Sequence, residues 1–99
     1  MITVDEFLSS AQAGGTAPDD LSEELLAMWH IKAGHWEDAH NIAQDIPTAM
    51  GSWIHALLHL IEGDIGNAGY WFRQAGRTTR STSEIDDLWR EIAAELLLD

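Results

Sequence analysis

The residues best suited to chemistry in this chain are its five histidines, His30, His35, His40, His55 and His59. His55 and His59 are four apart, so a helix through them carries both on one face, with Glu62 one turn further on. Such a pair can hold a metal ion, because neutral imidazole is a common zinc ligand. Ala56 follows His55, where the helical metallohydrolase motif has a glutamate, so that hydrolytic centre is not spelled out. If the helices pair as hairpins, His30 can approach His59. The candidate metal set is then His30, His55 and His59. The same side chains would serve equally as semi-buried packing histidines bonded to backbone or carboxylate. With Glu62 and Asp64 close by, they could also change charge near neutral pH.

Little else in the chain resembles catalytic machinery. Cysteine is absent, and no serine sits in a nucleophile elbow. Gly14-Gly15 is too short for a phosphate loop. The pairs Asp19-Asp20 and Asp86-Asp87 fall at expected helix starts, where the helix dipole explains them. The expectation is a protein that is not an enzyme and carries no cofactor. Arg73, Arg77 and Arg80 form a basic island, with no acidic residue between Ile65 and Ser83. They would dock an acidic partner, or simply pair with Asp86, Asp87 or a neighbouring molecule.

These groups need a scaffold, and composition bounds it. The chain has 99 residues, 17 acids against 5 bases, and a formal net charge of -12. That length suits one domain over 1–99. The charge disfavours phosphate backbones and anionic membrane surfaces, so neither nucleic acid nor membrane is an expected partner. Apolar residues make up 45%, and five positions are Trp, enough for a folded core. No apolar run approaches the roughly 20 residues that span a bilayer. With no basic signal-like start and no cysteine, the expected location is the cytoplasm.

Apolar periodicity predicts an all-α fold of five or six antiparallel helices. Thr3 and Glu6 form a capping box for the first, which Gly14-Gly15 ends. The second runs from Pro18-Asp19-Asp20 to Ala33, stopped by Gly34. The third covers His35 to about Asp45, and the fourth about Pro47 to Glu62, apolar round most of its circumference. The fifth spans Asp64 to about Ala75, and the sixth begins near Ser83. Trp29, Trp36, Trp53, Trp71 and Trp89 fall one in each helix from the second onward.

A shift of 29 residues places Gly34 on Gly63, Ala39 on Ala68, Ala27 on Ala56 and His30 on His59. Each unit is a helix, a glycine that lets the chain reverse, and a second helix whose alanine allows close approach. Gly34-His35-Trp36-Glu37-Asp38-Ala39 and Gly63-Asp64-Ile65-Gly66-Asn67-Ala68 resemble the turn of a tetratricopeptide repeat. Phe72 and Ala75 match its later positions, while the period is shorter than the usual 34. The stretch from Trp53 to Arg77 is also similar to a group of small uncharacterised bacterial proteins, which implies no activity.

The repeat resemblance implies two central hairpins with capping terminal helices and a groove lined by Ile31, Trp53 and Leu60. The expected function is a protein–protein interaction module with an unidentified protein partner. The alternative is a small-ligand or metal-binding sensor built on the histidine face. Two units fall below the usual three for a stable array, so the terminal helices or a homodimer must complete the core.

Overall fold

The helix ends are set by short-range chemistry. In the computed structural model, which describes residues 2–98, α1 spans Val4–Gln12. The Thr3 hydroxyl accepts from the Glu6 amide, and the Glu6 carboxylate accepts from the Thr3 amide. The second helix, α2, spans Glu23–Ala33 and starts later than expected. Ser22 takes the capping role by accepting from the Leu25 amide, leaving Asp19 and Asp20 in the preceding turn rather than on the helix. α3 is Trp36–Gln44, α4 is Ala49–Ile61 behind a Thr48 cap, and α5 is Ile65–Ala75 behind an Asp64 cap. A 3-10 turn, Thr82–Glu84, leads into α6, Ile85–Leu97. The described residues contain six α-helices and no strand.

α2 pairs with α3 and α4 with α5, each across a glycine in the left-handed region, Gly34 at φ 86° and Gly63 at φ 81°. The two hairpins meet through α3 on α4 and α2 on α4. The terminal helices close the core: α1 lies on α2 and α6, and α6 crosses α2 and α4. Phe7 of α1 stacks on Trp89 of α6 with ring centroids 5.8 Å apart, and Arg90 pairs with Asp5 at 2.9 Å.

Three indoles act as clips between elements. The Trp29 N–H donates to Ser10 Oγ at 3.2 Å, joining α2 to α1. That of Trp89 donates to the Met28 carbonyl at 3.0 Å, and that of Trp36 to the Leu58 carbonyl at 2.8 Å. Trp29 and Trp89 are buried and Trp36 half-buried, and each satisfies its one polar atom. No helix among the described residues is long and apolar enough to cross a membrane.

Candidate metal centre

α4 is the central helix, and its burial decides what its side chains can do. Trp53, Ile54, Ala56, Leu57, Leu58 and Leu60 are all buried. So is His55, at 6% exposure, the only buried polar or charged residue among those described. A buried imidazole costs free energy unless its nitrogens find partners. The Nε2 of His55 lies 3.0 Å from Nε2 of His40, which reaches across from α3. Two imidazoles share that hydrogen bond, so one must donate and the other accept.

His59 completes the group. Ligand nitrogens of His40, His55 and His59 lie within 4.8 Å of one another. The rings of His55 and His59 stack with centroids 4.8 Å apart, and that of His40 stands nearly perpendicular to both. Aromatic walls hold the set. Trp71 of α5 stacks on His55 at 4.0 Å, and Trp36, one turn before His40 on α3, stacks on His40 at 4.9 Å. Glu62 accepts from Nδ1 of His59 at 3.1 Å. That leaves Nε2 of His59 as its ligand nitrogen, in the carboxylate–histidine arrangement that orients metal ligands.

Electrostatics keeps His55 and His40 in the ligand-competent form. Burial, then the charges of His40 and His59, push the His55 imidazole down to about 4. His40 is also held below the ordinary histidine range, first by burial and then by His59, against the opposing pull of Glu62. Neutral imidazole has a lone pair to give, and the ring that donates the shared hydrogen bond would bind a metal through Nε2 once its proton shifts to Nδ1. A tetrahedral zinc with bonds of about 2.0–2.1 Å spaces its nitrogen ligands about 3.4 Å apart. His40 and His55 are already near that spacing at 3.0 Å, and all three ligand nitrogens lie within 4.8 Å of one another. Because the stacked rings are nearly parallel, coordination by both requires one to turn about χ2, a soft torsion. His59, which lacks the Trp71 stack, is the freer of the two.

The expected set of His30, His55 and His59 is therefore corrected at one position. His30 belongs to a different cluster, with His35 and Asp38 at the turn of the first hairpin, and His40 takes its place. The 29-residue shift pairs His30 with His59 because both close the first helix of a hairpin. Equivalent positions of successive units look the same way rather than at each other. The signal that points to His40 is its four-residue spacing from Trp36 on α3.

Comparison with family models, curated proteins and solved structures returns no match.

The expected groove is filled. Leu60 is 0% exposed and Trp53 5%, and Ile31 is half-buried against the core. α4 has α2, α3, α5 and α6 packed round it, so its apolar circumference is spent on the fold. The guanidinium of Arg77 lies over the Trp53 ring, 3.8 Å from its centroid. The same guanidinium donates to both oxygens of Glu95, at 3.0 and 3.1 Å. Arg80 pairs with Glu84 at 2.9 Å and Glu91 at 2.7 Å. These partners differ from the expected Asp86 and Asp87; Asp86 pairs instead with Lys32 at 3.1 Å. Of the three arginines, Arg73 alone makes no ion pair among the described residues. The basic island is thus mostly neutralised within the molecule.

Proposed function

We propose that this protein is a small helical domain that binds a divalent transition-metal ion of the zinc class through His40, His55 and His59. The observation that carries this reading is the buried His55, whose Nε2 finds only another imidazole, beside a third histidine oriented by a carboxylate. Three imidazoles form a ligand set suited to zinc, copper or nickel, and water would complete a tetrahedron. A domain of this size gains stability from metal binding, which gives the ion a structural or sensing role. The protein-interaction role expected from the repeat resemblance has less support, because the side chains assigned to its groove are consumed by packing.

The test is a titration of tag-free, chelator-treated protein with zinc, followed by thermal unfolding, and with cobalt, followed by visible absorption. Zinc should raise the melting temperature, and cobalt should develop the intense bands of a tetrahedral site. Both effects should be clearly smaller in His40→Ala. A wild-type protein that shows neither effect ends the proposal.

A further inference from the structure

A second cluster lies at the turn of the first hairpin. His30 sits in the last turn of α2 and His35 caps α3, on either side of Gly34. The turn itself is closed by backbone bonds, His35 N–H to the His30 carbonyl at 2.9 Å and Gly34 N–H to the Ile31 carbonyl at 3.3 Å. This brings the two imidazoles together, tilted by 44° to one another, with Nδ1 of each 3.0 Å from the other. Trp29, buried and bonded to Ser10, presents its ring to both, at 5.4 Å from His30 and 6.3 Å from His35. Asp38, one turn into α3, completes a set whose ligand atoms lie within 4.8 Å of one another. His35 and Asp38 are exposed, so an ion reaches the cluster directly from solvent.

We infer that His30, His35 and Asp38 form a second binding site for a divalent transition metal, with two imidazoles and one carboxylate. That donor set suits zinc, and its single negative charge offsets part of the charge of the ion. The inference does not rest on the three-histidine centre, since the two sets share no residue. It gives the repeated hairpin a chemical sense. In the second hairpin His59, Glu62 and Asp64 occupy the corresponding turn, with His59 and Asp64 at the positions equivalent to His30 and His35. The site on the first hairpin is the more exposed of the two, so it should exchange its ion faster than the three-histidine centre.

The experiment is a calorimetric titration of tag-free protein with zinc ions alone, run beside NMR spectra of the histidine ring protons. Wild type should bind two equivalents and shift the rings of His30 and His35 as well as those of His40, His55 and His59. His35→Ala and Asp38→Asn, both at exposed positions, should each lose one equivalent and leave the three-histidine shifts intact. His40→Ala should lose the other equivalent and keep the shifts at His30 and His35. Zinc that leaves the His30 and His35 rings unmoved overturns this inference without touching the three-histidine centre. Shifts confined to His30 and His35 support it and overturn the other.

Discussion

Acidifying the metal-free protein from pH 7 to pH 5 should destabilise it. The cause is His55. Its folded pKa lies at about 4, against an ordinary histidine value of 6.5. The unfolded chain therefore takes up a proton that the folded chain refuses. Stability rises with pH wherever the unfolded state binds more protons. The contribution of His55 is thus fully present above pH 6.5, falls as pH drops toward 4, and changes no further below that. Linkage gives a loss of about 2 kcal/mol at pH 5 from this one residue. For a domain of this length that is a fall of roughly 10 °C in melting temperature. His30 and His40, also held below 6.5 mainly by burial, add in the same direction. Glu6, Asp64 and Glu84 are lowered from their ordinary values by hydrogen bonds. Their contributions are lost mainly below pH 5, so the window from pH 7 to 5 is dominated by the histidines. The assay is urea unfolding at both pH values with chelator present, on wild type, His55→Gln and His55→Phe. Both variants should show a much smaller difference between the two pH values, whatever their absolute stability. Equal differences in wild type and variants would refute the reasoning, because His55 would then not be the group that resists protonation.

Four further outcomes follow from the packing. Gly51→Ala should lose about 1–3 kcal/mol in denaturant unfolding, because the new Cβ strikes the Ile46 carbonyl oxygen, which is backbone and cannot swing aside. Gly66→Ala, in the first turn of α5 with nothing near the added methyl, should gain about 0.5–1 kcal/mol in the same assay. Trp36→Phe should cost about 1 kcal/mol by losing the bond to the Leu58 carbonyl. It should also weaken zinc binding, as the wall behind His40 is reduced; unchanged zinc affinity would show that His40 needs no such support. Arg77→Ala should lower the melting temperature through loss of its Trp53 and Glu95 contacts, while Arg73→Ala should leave it within error.

The sequence by itself determined the parts of this protein that close within a turn or two. The capping box of Thr3 and Glu6, the glycine reversals and the pairing of His55 with His59 on one helix face depend on residues three to five apart. Covalent geometry leaves such neighbours few alternatives. The start of α2 shows how narrow that margin is. Pro18, Asp19 and Asp20 carry a plausible start signal, yet Ser22 caps the helix one turn later. What only the tertiary structure decided is which distant groups meet. His40 reaches His55 because Ala39 and Ala43 are buried on α3, with Trp36 bonded to α4. Arg77 finds Glu95 because α6 folds back over α2 and α4. Trp53 and Leu60 are spent on the core because four helices surround α4. Each of these contacts is set by how helices rotate and cross, and so by the packing of the whole core. No local spacing encodes that sum, which is why the sequence could propose a histidine cluster and only the fold could choose its third member.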